Sequence, residues 1–415
     1  MTRSALVCII TPGNVSSAPR VIKEADALVA AGHRVHVVAG RNFAPAIPFD
    51  EQVIARSRWE YTAVAVSSGA RLITRMTRLA ARARMARMQS PPPEVAARAV
   101  HAPFGPLASA AARLGADYFV GHGLGGMSAA ASAADTCRKS FGIDLEDFHD
   151  AETEAATRDP IERKARHALQ RALLPRARHL TAAAPLIAQE YEKRYDVRPT
   201  VVLNVFPRHE APATPPTRPA FSAANPARLY WFSQTIGPGR GLEAVVAIIA
   251  RMRTPVELQL RGFADSSYVA TMQSRARAMG LARPVAELPP APASEMVRLA
   301  AAADLGLSVE ESMPLNRDLC LTNKVFAYLL AGIPQLLSRT SAQVAVAPEL
   351  GSAALLGALD DPTATAAMLD AFLGDATRVT QARLHAWKVA QERYCWDAEK
   401  EIFLRTIGSA LPRPT

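Results

Sequence analysis

Cysteine is scarce in this chain: 415 residues hold four (Cys8, Cys137, Cys320, Cys395), far apart, with no CxxC pair and no histidine cluster at metal spacing. A disulfide frame and a zinc site are therefore not expected, and the thiols suit a protein core in a reducing compartment. No uninterrupted apolar run approaches the ~18–20 residues that span a bilayer. The run Ala5 to Ile10, ended by Pro12-Gly13, is too short for a signal peptide's core and reads as a buried strand. The cytoplasm is the expected location, with contact at the inner face of the membrane. Aromatic residues are few and do not interleave with basic ones, and no nucleic-acid-binding module is recognisable, so no nucleic-acid partner is expected. Acidic residues lag behind basic ones, 38 against 48, leaving a net charge of +10. That balance favours anionic partners such as nucleotide phosphates or acidic lipid head groups.

The length suffices for two domains with sizeable cores. Strand and helix signals alternate from the start. Ala5 to Thr11 is a buried strand. A helix follows with Pro19 in its first turn, Ser16 or Ser17 as cap, and an apolar stripe of Val21, Ile22, Ala25, Leu28 and Val29 closed by Gly32. Val35 to Ala39 is the next strand. Such a βαβ unit implies a Rossmann-like sheet. Further strands are predicted at Asp117 to Val120, around Ile143, at His179 to Ala182 and at Thr200 to Leu203. Pro207 to Pro226 carries six prolines without periodicity and reads as a linker. The alternation restarts with strands at Arg228 to Phe232, Val256 to Arg261 and Leu305 to Ser308, and one last helix runs from about Ala382 to Arg405. The expected fold is α/β, two Rossmann-like domains facing across a cleft: 1–207 for an acceptor, 208–385 for a donor, and 386–415 bracing back on the first domain.

Two segments of the second half carry phosphate chemistry. In Leu321 to Pro334 (LTNKVFAYLLAGIP), Thr322 and Asn323 are good caps, Val325, Tyr328 and Leu329 repeat at helical spacing, and Gly332 with Pro334 ends the helix. Its free N–H groups and dipole favour an anion, and Lys324 adds a full positive charge. In Trp231 to Glu243 (WFSQTIGPGRGLE), Gly237, Gly239 and Gly241 let backbone approach a ligand, and Arg240 can bind phosphate bidentately. The plainer alternative is a pair of solvated surface cations. In either case both side chains are expected to stand exposed.

The first of these segments resembles the donor-binding helix of GT-B glycosyltransferases of family 4 and their relatives, where an Asn-Lys pair opens a helix ending in a small residue, Gly and Pro. Ser17 to Ala39 resembles the family's opening, with Pro-Arg, an acidic-alanine helix, Ala-Gly-His and a valine-rich strand. The loop around Arg240 resembles the one that grips the donor's diphosphate. The family's glutamate before the glycine is replaced by Ala327, and strict counting puts Leu319 at its other glutamate. Glu310 and Glu311 are the nearest acids. The resemblance implies transfer of a sugar from a nucleoside-diphosphate donor to a glycan or lipid-linked acceptor in polysaccharide or glycoconjugate synthesis. Retention of configuration and no bound metal or cofactor are further implications. It puts Arg240 and Lys324 on the leaving diphosphate, with His122 and Glu311 orienting sugar hydroxyls. Gly13, Ser233, Gly239, Gly241, Arg261, Gly262, Asn323 and Tyr328 would line the donor. A nucleotide-sugar epimerase of the same fold, or a non-catalytic nucleotide-binding scaffold, is the alternative.

Three other features remain. Gly121, Gly123 and Gly126 match a dinucleotide GxGxxG, with Asp144, Glu146 and Asp147 at ribose distance. The match is not in the first βα turn, and no hydride-transfer site accompanies it. The acidic run through His149, Asp150 and Glu152 fits no metal-ligand spacing and is expected to be a solvated, partly acceptor-facing loop. Finally, 71–88 reads as an amphipathic basic helix with Arg71, Arg75, Arg78 and Arg82 along one stripe and Leu72, Met76, Leu79 and Ala83 beside it. It would lie on an anionic membrane, or else pack on the first domain.

Overall fold

A computed structural model of the chain describes residues 4–65, 68–101, 103–217, 221–281 and 285–411. The chain divides into two compact units. The first comprises Met1–Leu203, Pro314–Asn316 and Lys400–Thr415; the second comprises Asn204–Met313 and Arg317–Glu399.

The first unit is built on strands β1 (Leu6–Thr11), β2 (Arg34–Gly40), β3 (Glu60–Val64), β4 (Tyr118–His122), β5 (Ser140–Leu145), β6 (Leu180–Ala182) and β7 (Thr200–Val201). They pair in the order β3-β2-β1-β4-β5-β6-β7, parallel throughout. Val7, Ile9, Val37 and Phe119 are fully buried, as expected of strands covered by helices on both faces. Strand order reverses between β1 and β4, so the carboxyl ends of these two strands flank the natural ligand position of such a sheet.

The second unit repeats the plan with β8 (Ala227–Ile236), β9 (Val256–Ala264), β10 (Ala286–Leu288), β11 (Leu305–Ser308), β12 (Gln335–Leu337) and β13 (Ala354–Leu356). Their order is β10-β9-β8-β11-β12-β13, again parallel, with the reversal between β8 and β11. Each unit is thus a Rossmann-like sheet, as the alternation predicts.

Some local expectations need correcting. Neither Ser16 nor Ser17 caps the helix Pro19–Ala30: its N-cap is Ala18, and the Ser16 hydroxyl donates to Asp50 at 2.6 Å. The single last helix is two, Ala376–Glu392 and Trp396–Ala410. The break is fixed by a bridge between Cys395 and Phe206, where the Trp396 N–H donates to the Phe206 carbonyl. The proline-rich segment is held rather than loose, since Trp387 donates to the Pro212 carbonyl and Arg383 to that of Pro216.

Candidate active site

In the second unit the site grows from the ends of β8 and β11. After β8, Gly239 and Gly241 both take positive φ (69° and 71°), which glycine adopts without strain, and Gly241 caps the helix Leu242–Ile249. A Cβ added at Gly241 would lie 3.1 Å from Leu359 and 3.6 Å from Val309, the residue following β11, so the loop after β8 packs close to the end of β11. Arg240 is half-exposed on this loop and has no ion-pair or hydrogen-bond partner among the described residues. Its guanidinium is thus available to a ligand.

Lys324 is placed differently from the expectation. It is buried in the first turn of the helix Asn323–Leu330, with Nζ 2.7 Å from Oε1 of Glu310 and 5.6 Å from the centre of the Trp231 ring. Glu310, leaving β11, supplies the counter-charge; Glu311 beside it is exposed. Around the pair, Trp231 Nε1 and Thr322 Oγ1 are buried polar atoms with no hydrogen-bond partner among the described residues. Thr322 stands at the helix N-cap but its hydroxyl makes no capping bond. Buried polar groups are normally satisfied, so orphans gathered at a helix start leave donors and acceptors to offer.

The sequence reading missed Arg317. Its guanidinium lies over the glycine loop, where a Cβ at Gly239 would be 3.5 Å from Nη1, and that nitrogen is buried without a partner among the described residues. The only signal was a third cation between the two strands and the Asn323 helix.

Several expected donor residues make packing and hydrogen-bond contacts within the unit. Tyr328 is fully buried: its hydroxyl donates to the Tyr230 carbonyl at 2.9 Å and its ring fills the space left by Gly306. Arg261 donates to the Tyr230 hydroxyl at 2.8 Å and to the Pro289 carbonyl at 2.6 Å. Gly262 faces the irregularity between Phe232 and Thr235, where a Cβ would be 2.5 Å from the Ser233 carbonyl oxygen. Asn323 is half-exposed beside Lys324, and Gly13 borders open space beyond β1.

In the first unit, His122 ends β4 inside a buried tetrad of charges. Arg20 grips Asp144 with Nε and Nη2 at 2.8 and 2.6 Å and donates to the Val202 carbonyl. His122 faces Glu24 at 3.0 Å through Nε2 and Asp144 at 3.3 Å through Nδ1. Burial alone would depress the His122 pKa, but Glu24 and Asp144 outweigh it and hold it up at about 10. The ring is therefore a cation. Glu24, His122 and Asp144 lie close enough to share a metal ion. Their charges are already balanced by Arg20 and the imidazolium, whose nitrogens are donors rather than ligands. Arg20 and Glu24 had a sequence signal: they are i, i+4 partners, and Glu24 falls within the stripe of Val21, Ala25 and Leu28.

The GxGxxG match has a packing explanation. A Cβ at Gly121 would be 2.5 Å from the Gly126 carbonyl oxygen, and one at Gly126 would be 2.5 Å from that of Ile10. The glycines let the helix Gly123–Cys137 press against β1 and β4, and Asp144 is occupied by Arg20 and Thr181. The acidic loop is likewise structural. Glu152 joins His149 at 3.0 Å and Arg166 at 3.1 Å. Burial would raise the Glu152 carboxyl, but its hydrogen bond with His149 and the Arg166 guanidinium outweigh that and hold it at about 2. Asp150 accepts from Tyr195 and Gln170, both at 2.7 Å. Glu146 is pushed up to about 7 by burial, helped by Asp147 and Asp144. Among the described residues no helix is long and apolar enough to cross a membrane.

No protein-family model and no curated protein matches the sequence. Solved structures do match over the whole length. Anabaena HepE in complex with UDP-glucose superposes with a TM-score of 0.71 at 13% identity, covering 98% of this chain and 100% of that one. Sucrose-phosphate synthase from Thermosynechococcus elongatus gives 0.69 at 14%, with the same coverage. The lipopolysaccharide outer core galactosyltransferase WaaB gives 0.60 at 13%, again covering 98% and 100%. With two parallel Rossmann-like sheets and these likenesses across its full length, the chain has the fold of the GT-B glycosyltransferases.

Proposed function

We propose that this protein is a glycosyltransferase that moves a sugar from a nucleoside-diphosphate donor to a glycan or lipid-linked acceptor. The observation carrying this reading is the gathering of Arg240, Arg317 and the Lys324 helix start at the strand-order reversal of the second unit. Cations and free N–H groups beyond a reversal point suit a diphosphate, and the HepE structure holds UDP-glucose.

In this reading Arg240 and Arg317 bind the diphosphate oxygens, and the helix dipole at Asn323 and Lys324 adds to the field. The bond between the anomeric carbon and the diphosphate breaks, and its electron pair leaves with the phosphate. The acceptor oxygen bonds the same carbon from the side the phosphate leaves, so configuration is retained. The acceptor's proton passes to the departing phosphate oxygen. The enzyme's contribution is preorganised positive charge where negative charge develops. His122 serves as a fixed cation at the end of β4 rather than a base, since its proton is held by two carboxylates. Glu311, exposed after β11, is free to meet sugar hydroxyls.

Thermal shift with UDP, GDP and NAD, followed by turnover of a labelled donor, tests the reading. A nucleoside diphosphate at a hundred times its dissociation constant should add about 2.7 kcal/mol of stability. Stabilisation by NAD alone would overturn it. Release of epimerised sugar from UDP-sugar without any acceptor would assign the site to an epimerase.

A further inference from the structure

The helix Ser68–Arg87 has its apolar face on the wrong side for a soluble surface helix. Leu72, Ile73, Met76 and Leu79 expose 65%, 69%, 58% and 54% of their surface. Elsewhere, large exposed apolar side chains such as Met279, Val344 and Leu384 are scattered singly. Leu72, Met76, Leu79 and Ala83 recur at helical spacing, so they form one continuous outward stripe. The opposite side, with Ala81 and Met85, is buried against the helices Pro93–Val100 and Pro160–Leu173.

The arginines divide between the two sides. Arg82 pairs with Asp159 and with Glu162 at 3.2 Å, and Arg78 reaches Glu162 at 3.4 Å and donates to the Ala99 carbonyl at 3.1 Å. These two fasten the helix to the unit. Arg75, Arg84 and Arg87 are exposed, flanking and ending the apolar stripe. The side chain of Arg71 lies outside the described residues. The helix contains six arginines and no acid.

We propose that this face docks the protein on an anionic bilayer surface, with the four large apolar side chains entering the headgroup boundary and Arg75, Arg84 and Arg87 meeting lipid phosphates. An outward apolar stripe wants a covering surface, and a rim of cations without a single anion selects a negatively charged one. This corrects the sequence expectation, in which Arg78 and Arg82 were membrane cations.

The test is co-sedimentation of the full chain, without donor, on phosphatidylcholine vesicles with and without phosphatidylglycerol. It therefore reads independently of whether the chain transfers sugar. The wild type should bind the mixed vesicles and release as salt rises. Replacing Leu72, Ile73, Met76 and Leu79 together with serine should weaken partitioning roughly a hundredfold or more, with the melting temperature kept. Changing Arg75, Arg84 and Arg87 to glutamine should weaken binding and flatten its salt dependence. Arg78→Gln with Arg82→Gln should leave binding intact and lower the melting temperature. Unchanged binding by the serine variant would overturn the proposal. So would absence of vesicle binding together with a wild-type dimer that the serine variant loses, which would assign the face to a second copy of the chain.

Discussion

Lys324 and Glu310 form an ion pair of 2.7 Å in which the side chains retain only 5% and 3% of their exposure. The lysine at the start of the Asn323 helix is therefore not a bare charge awaiting phosphate. It is held by a carboxylate from the neighbouring strand end, under the face of Trp231. In the proposed reading, the positive charge offered to a diphosphate therefore comes largely from Arg240 and Arg317.

The first prediction concerns stability. Lys324→Ala leaves the Glu310 carboxylate buried and unpaired, which should cost about 3–5 kcal/mol. Removing both charges, as Lys324→Met with Glu310→Leu, should restore most of that loss. Urea unfolding of the single and double variants measures it; a single variant as stable as the wild type would mean water reaches the pair.

Arg240→Ala should behave in the opposite way. Its side chain is half-exposed and unpartnered, so the unfolding midpoint should hold while turnover falls about 10²–10³-fold. Arg317→Ala should lower turnover similarly, with partial recovery in Arg317→Lys, which keeps the charge but loses the planar fork. Near-normal turnover in both alanine variants would place the diphosphate elsewhere.

The long elements were legible because their patterns are redundant: the apolar run of β1, the proline at the first helix start, the stripe through Val21, Ala25 and Leu28. The short strands at one end of the second sheet were not. Gln335–Leu337 and Ala354–Leu356 have three residues each, too few to show a period, and exist because neighbours pair with them. At the site, the glycine loop and the Lys324 helix were found through local chemistry. What the lysine touches was not: Glu310 reaches it through the fold of the loop after β11, and Trp231 through the pairing of β8 with β11. Arg20 illustrates the same limit: its i, i+4 spacing to Glu24 is visible in the sequence, but its other partner Asp144 lies on a strand 124 residues away.

The glycines of the GxGxxG match supply a third prediction. Gly126→Ala would set a methyl 2.5 Å from the Ile10 carbonyl oxygen, a backbone atom that cannot rotate aside. Destabilisation of about 1–3 kcal/mol or more should follow, with NAD failing to stabilise either form. A well-folded Gly126→Ala protein would show that the helix can stand off the strand.

The buried tetrad makes stability depend on alkaline pH. The His122 pKa is raised from 6.5 to about 10 in the folded state. A raised cation contributes stability that is fully present below its unfolded pKa and is lost as pH climbs through the folded one. Stability should therefore fall between about pH 6.5 and pH 10, by up to about 1.4 kcal/mol per pH unit from this group. Asp144 works at the other end: Arg20 and His122 outweigh burial and depress its carboxyl, so its contribution is lost only on acidification below its usual range. Urea midpoints across the alkaline window should slope downward in the wild type. His122→Gln, which cannot lose the proton, should be less stable at neutral pH and show a flatter slope. Parallel slopes in the two proteins would mean that His122 is not the titrating group, and that the tetrad holds together without its charge.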